Sequence, residues 1–164
     1  MFEPFRKSGS RETDYPLLVS ALGHLLEGET NSTAALSNAS ALLNWFLDDI
    51  NWVGFYLYDK GEEQLVLGPF QGLPACVRIP PGKGVCGRAY ASGETQIVED
   101  VLKFPGHIAC DSASRSELVV PIFQGESVIA VLDIDSPETG RFDEVDAQWM
   151  EKAAGVLSAF CCEI

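Results

Sequence analysis

ELVVPIFQGESVIAVLDID, residues 117–135, is the stretch whose reading decides the fold. Two apolar runs flank Gln124-Gly125-Glu126-Ser127, whose glycine and polar neighbours supply turn chemistry, so Glu117–Phe123 and Val128–Asp135 read as an antiparallel hairpin. Asp133 and Asp135 stand two apart at the end of the second strand, and side chains alternate across a strand, so both share one face. Glu117 opens the partner strand of the same hairpin.

The same period of two recurs upstream. In Asn51–Tyr58, Trp52, Gly54, Tyr56 and Tyr58 point one way and Val53, Phe55 and Leu57 the other. Asp59-Lys60-Gly61 turns into a strand from Gln64 to Phe70, and shorter strands are expected over Cys76–Ile79 and Gln96–Glu99. Helical spacing opens and closes the chain. A first helix is expected from Asp14-Tyr15-Pro16, with Leu17, Leu18, Ala21, Leu22, Leu25 and Leu26 as its stripe. A second follows a cap at Asn31 or Ser32 and carries Ala35, Leu36, Ala39, Leu42, Leu43 and Phe46. The last starts at Phe142 and its cap Asp143, with Val145, Trp149, Ala153, Val156, Leu157 and Phe160 facing inward. Strands that do not alternate with helices disfavour a doubly wound parallel sheet and indicate an α+β domain. One domain over residues 1–164 is expected, with 1–13 read as a loosely ordered N-terminal arm.

Composition narrows the partners. The 164 residues are 46% apolar and 21% charged, which suits a globular chain and not a disordered one. Eleven basic against 24 acidic residues leave a net charge of −13, which repels phosphate backbones and anionic bilayers. Neither nucleic acid nor a membrane surface is an expected partner, whereas a small cationic or zwitterionic ligand is compatible. No apolar run approaches the ~18 residues of a membrane span. The opening MFEPFRKSGS has no apolar signal core, so a cytoplasmic location is expected. Five cysteines, an odd number, read first as scattered core thiols of a reducing cell.

The segment between Pro69 and Ser116 has little regular patterning and many special residues. Gly82-Lys83-Gly84-Val85-Cys86-Gly87 matches G-x-G-x-x-G, but Ile79-Pro80-Pro81 precedes it and Gly93 cuts the following helix short. A dinucleotide site needs a buried strand before it and a long helix after it, so a glycine turn starting a short helix is the better account. Zinc would favour close ligand pairs, and His107-x₂-Cys110 is the one close pair, so no metal is expected. Cys86, between Val85 and Gly87 and near Ala89, reads as packing. Cys110 lies in the polar, turn-rich Pro105-Gly106-His107-Ile108-Ala109-Cys110-Asp111. A helical turn opened by the serines that follow would favour its thiolate, and Asp111 would oppose it. The vicinal Cys161 and Cys162 read as structural, because consecutive helical side chains do not face one site. Glu117, Asp133 and Asp135 converging on one pocket would push at least one carboxyl upward and leave a proton donor near neutral pH. Read blandly, Asp135-Ser136-Pro137 is a turn, and Trp52 and Tyr56 are core aromatics rather than a wall for a methyl group or cation.

Phe70-Gln71-Gly72, Ala75-Cys76, Gly84-Val85-Cys86-Gly87, the Pro105–Asp111 string, Ser116-Glu117 with Val119-Val120-Pro121, and Leu132-Asp133-Ile134-Asp135-Ser136 together resemble the free methionine-(R)-sulfoxide reductase family. The Cys–x₉–Cys–x₂₃–Cys spacing adds specificity. The resemblance implies a GAF-domain fold with a central antiparallel sheet, a homodimer, no cofactor, and thioredoxin-dependent reduction of the free R sulfoxide to methionine. It implies Cys110 as catalytic thiol, Cys76 as main resolving partner and Cys86 as a participant in exchange. Glu117, Asp133 and Asp135 match the pocket carboxylates, and Trp52 and Tyr56 the aromatic wall. The chemistry agrees: the sulfoxide oxygen must finally leave as water, which requires a thiol and proton donors beside it. A sulfenic acid on Cys110 would condense with Cys76 and be recycled by an external dithiol. The competing expectation is a GAF sensor that binds a small molecule without chemistry.

Overall fold

The 117–135 hairpin is the centre of the sheet. In the computed structural model, which describes residues 2–106 and 111–161, β5 (Ser116–Gln124) and β6 (Ser127–Ser136) pair antiparallel. Gly125 takes φ +63° in the connection, a conformation that costs glycine little. Glu117 lies opposite Asp135, and Val119 opposite Asp133. β1 (Trp52–Asp59) pairs with the other edge of β6, setting Trp52 opposite Asp135 and Gly54 opposite Asp133. With β2 (Gln64–Gln71), β3 (Arg78–Ile79) and β4 (Gln96–Val98), the order is β3-β2-β1-β6-β5-β4, antiparallel throughout. The two edge strands are two and three residues long, which leaves little unpaired edge to template another chain.

Alternation divides the sheet into two faces. Val53, Phe55, Leu118, Val120, Leu132 and Ile134 pack beneath α1 (Arg11–Leu25), α2 (Ser32–Phe46) and α4 (Glu144–Leu157). Trp52, Tyr56, Val119 and Val131 face the other way, toward Val85, Cys86 and Ala89 of α3 (Gly84–Ser92) and toward Ile79. The glycine-rich stretch forms the start of α3 and no nucleotide loop. Gly82 and Gly84 have φ of +77° and +62°, and Gly93 ends the helix at +67°. This is an α+β architecture with a central antiparallel sheet, as expected.

Asn31 caps α2, accepting from the Ala34 amide at 3.0 Å, and Asp143 caps α4 in a reciprocal box with Asp146. Three expectations shift. First, α1 begins at Arg11 rather than at Asp14. The Asp14 carboxylate reaches back to the Ser8 and Gly9 amides at 2.8 and 2.9 Å, tying the preceding loop to the helix. Second, α1 buries Tyr15, Leu18 and Leu22, with Leu26 buried just past its end, while Leu17 is 43% exposed. Third, α4 buries Ala147, Met150, Ala153, Ala154 and Leu157. Val145 is exposed, and Trp149 lies at the rim, stacked on Tyr15 at 6.3 Å with Lys152 Nζ 3.6 Å over its ring. An apolar residue beside a helical stripe covers the rim when a polar partner reaches its outer face.

Candidate active site

On the α3 side of the sheet, β5 contributes Glu117, β6 contributes Asp133 and Asp135, β1 contributes Tyr56, and α3 contributes Cys86. All five line one small cavity of about 30 Å³, together with Ile79, Lys83, Gly84, Val85, Asp111 and Ser114. Glu117, Asp133 and Cys86 are at most 6% exposed. The Cys86 thiol donates to Glu117 Oε1 at 3.9 Å. One carboxylate oxygen, Asp133 Oδ1, is buried with no hydrogen-bond partner.

Burial dominates the electrostatics. It raises Glu117 well above the ordinary glutamate range, and the charges of Asp133 and Asp135 raise it further. Asp135 rises for the same reasons, from burial first and then from Asp133 and Asp111. Asp133 is also raised by burial, but only to about 6, because hydrogen bonding to Cys86 and Glu117 and the Ile134 amide stabilise its anion. Cys86 is pushed up by burial and then by Asp133 and Glu117, so it stays a thiol. Of the three carboxyls, Asp133 gives up its proton first.

The strand ends that carry these groups are tied down. Ser136 Oγ donates to the Asp49 carbonyl at 2.6 Å, Ser116 Oγ donates to the Glu138 carbonyl at 2.6 Å, and the Asn51 amide donates to the Asp135 carbonyl at 2.9 Å. At the cavity rim the Asn51 Nδ2 amide donates to Asp111 Oδ2 and Ser114 Oγ, each at 3.0 Å. Asn51 was legible only as the first residue of a strand segment, and Ser114 only as one of several serines; neither carried a pocket signal.

Trp52 stands behind the cavity rather than on its wall. It stacks at 6.0 Å on Tyr56 and 5.2 Å on Phe70, and its Nε1 donates to the Leu73 carbonyl at 3.1 Å. Tyr56 OH donates to the Cys76 carbonyl at 3.0 Å. The two aromatics therefore hold the segment that bears Cys76 over the sheet. Cys76 is disulfide-bonded, whereas Cys86 is a free thiol. Cys110 and Cys162 lie outside the described residues. A larger groove of about 640 Å³ runs between Phe123 and α4, and among the described residues no cysteine lines it.

Residues 35–160 match the GAF domain family. Free methionine-R-sulfoxide reductase of Escherichia coli (strain K12) is 53% identical over 81% of this chain and 79% of its own length. The enzyme of the same name from Saccharomyces cerevisiae is 48% identical over 88% of this chain and 83% of its own. The chain belongs to the free methionine-R-sulfoxide reductase family. Its fold also matches the crystal structure of the family's Neisseria meningitidis member in complex with its substrate, with TM-score 0.93 and 42% identity over 98% of this chain and 95% of that one. From the strings that carried the family resemblance, Gly84, Val85, Cys86, Asp111, Glu117, Asp133 and Asp135 line this cavity. Among the described residues, no helix is long and apolar enough to cross a membrane.

Proposed function

We propose that this chain reduces free L-methionine (R)-S-oxide to L-methionine, with Cys110 as the attacking thiol. The observation that carries the reading is the group of buried Glu117 and Asp133 with half-buried Asp135 on one sheet face, in a chain whose family bears this activity in its name. Asp133, the carboxyl that ionises first, holds the substrate ammonium. Glu117 keeps its proton and donates toward the sulfoxide oxygen. An ammonium is present on a free amino acid and absent within a peptide, so the pocket selects the free substrate.

The sulfoxide oxygen passes to Cys110 Sγ. The substrate sulfur gains two electrons and becomes a thioether, and the thiol loses two and becomes a sulfenic acid. The Cys76 thiol then displaces that oxygen as water and forms a disulfide. A thioredoxin dithiol reduces the disulfide by exchange and is itself oxidised. The disulfide at Cys76 alongside a free Cys86 supports Cys76 as the resolving thiol, with Cys86 in a secondary part. Trp52 and Tyr56 back the pocket and hold the Cys76 segment in reach. The same reading makes the protein a homodimer of a reducing, cytoplasmic compartment.

The test is methionine release from the free R and S sulfoxides, with dithiothreitol and then thioredoxin, for wild type and Cys110→Ser. Turnover of the R epimer alone, abolished in the variant, is expected. Activity surviving in Cys110→Ser would move the attack to another cysteine. No turnover of either epimer by folded, reduced wild type would overturn the reading.

A further inference from the structure

Three side chains of the pocket are arranged as a ligand set that no local sequence spacing announces. One ligand atom each from Cys86, Glu117 and Asp133 lies within 4.8 Å of the other two, and all three residues are buried. A zinc ion binds thiolate sulfur at about 2.3 Å and carboxylate oxygen at about 2.0–2.2 Å, so in its tetrahedral geometry a sulfur and an oxygen ligand stand about 3.6 Å apart. The 3.9 Å between Cys86 Sγ and Glu117 Oε1 needs only a few tenths of an ångström of adjustment to reach it. A second observation points the same way. Asp133 Oδ1 is buried without a hydrogen-bond partner, a state that ordinarily costs about 1–3 kcal/mol and that a cation relieves. Among the described residues no basic side chain forms an ion pair with the trio, and Lys83 at the rim is exposed. The cavity of about 30 Å³ has room for an ion with a water.

We infer that the reduced, substrate-free protein binds one zinc-class divalent cation between Cys86, Glu117 and Asp133. One soft sulfur with two hard oxygens favours Zn²⁺ over Mg²⁺ or Ca²⁺, which prefer oxygen alone. Cys86 and Glu117 release their protons to solvent as the metal–sulfur and metal–oxygen bonds form, and no electron is transferred. Three protein ligands leave a fourth position for water or for Asp135, which lines the same cavity. The ion occupies the place that the reductase reading gives to the substrate ammonium. Inhibition by zinc, reversed by a chelator, follows on that reading; metal binding itself does not depend on it.

The experiment titrates the chelator-treated, reduced full chain with Co²⁺ and then Zn²⁺. One equivalent of Co²⁺ is expected to produce a near-ultraviolet thiolate-to-cobalt absorption band, bleached by one equivalent of Zn²⁺. Cys86→Ser abolishes the band, and Glu117→Gln and Asp133→Asn each weaken Co²⁺ binding at least tenfold. A chain with Cys86 as its sole cysteine, the other four replaced by serine, keeps the band, so the inference remains falsifiable even where Cys86→Ser fails to fold. No band in wild type, a band surviving in Cys86→Ser, or a band absent from the folded sole-cysteine chain would overturn the inference. The sole-cysteine chain lacks Cys110 and is inactive as a reductase, so metal binding is read there apart from turnover. A wild type that turns over the R sulfoxide without binding Co²⁺ loses the metal site and keeps the reductase reading. A wild type that binds Co²⁺ without turnover has the reverse result.

Discussion

Asp133 holds its proton less tightly than its two carboxyl neighbours but more tightly than an unfolded aspartate, and the sign of its effect on stability follows. Its native value of about 6 lies above the ordinary 3.8, so the native state binds the proton more strongly. The stabilising contribution is complete below about pH 4 and is lost as pH rises through 6. In metal-free protein, Asp133→Asn is therefore expected to be more stable than wild type at pH 8, by on the order of 2 kcal/mol. The gain disappears near pH 4, and urea unfolding at the two pH values measures it. Glu117→Gln removes the proposed donor: kcat for the R sulfoxide is expected to fall ~100-fold or more while KM changes far less. The wild-type rate falls on the alkaline side, as the buried Glu117 proton is lost, and this limb is absent from the variant's pH profile. Tyr56→Phe removes the hydrogen bond to the Cys76 carbonyl. As Tyr56 is a positioning residue, single-turnover methionine formation is expected to persist while the following disulfide step slows several-fold, read by quenched thiol trapping.

At the scale of elements, the β1–β6–β5 register lines up the reactive groups, and Gly54 lets β2 close against β1. A Cβ at Gly54 would lie 2.3 Å from Phe70 Cβ and 2.7 Å from the Trp52 ring, and the β1–β2 register shifts just beyond it. Gly54→Ala is expected to cost about 1–3 kcal/mol, because backbone and a stacked indole must both move. The Trp52 stack moves with it, so the same variant loses R-sulfoxide turnover, measured beside its unfolding curve. A cap far from the chemistry separates stability from function. Asp143→Ala removes the bonds to the Val145 and Asp146 amides and is expected to cost ~1 kcal/mol in thermal unfolding, with kcat/KM unchanged. The elements themselves were largely legible, since period two and period 3.6 are local signals. The stripe of α4 was misjudged at Val145, which is exposed, because hydropathy alone does not distinguish core from rim, whereas Trp149 does pack against the core.

Over the whole molecule, the charge of −13 is mostly at the surface, whereas the trio that defines the pocket is buried. Surface self-repulsion is screened within about a Debye length, ~10 Å at 0.1 M salt. Raising sodium chloride from about 0.01 to 0.3 M is expected to raise Tm in wild type and in Asp133→Asn alike, while the difference between them at pH 8 persists; differential scanning fluorimetry reads both. Residues 117–135 by themselves determined the hairpin, the shared face of Asp133 and Asp135 and the approach of Glu117, because strand alternation and a two-residue turn are set by neighbours in the chain. The family strings added the activity and the cysteines to examine. Only the tertiary structure decided that Cys86 lies against Glu117 and Asp133, that Asn51 braces Asp111 and Ser114, and that Trp52 and Tyr56 grip the Cys76 segment. Those contacts join residues from different elements, and their distances are fixed by how α3 and the connecting loops pack on the sheet. Burial is likewise a property of the packed whole, and it is burial that raises the pocket carboxyls and leaves Asp133 Oδ1 without a partner.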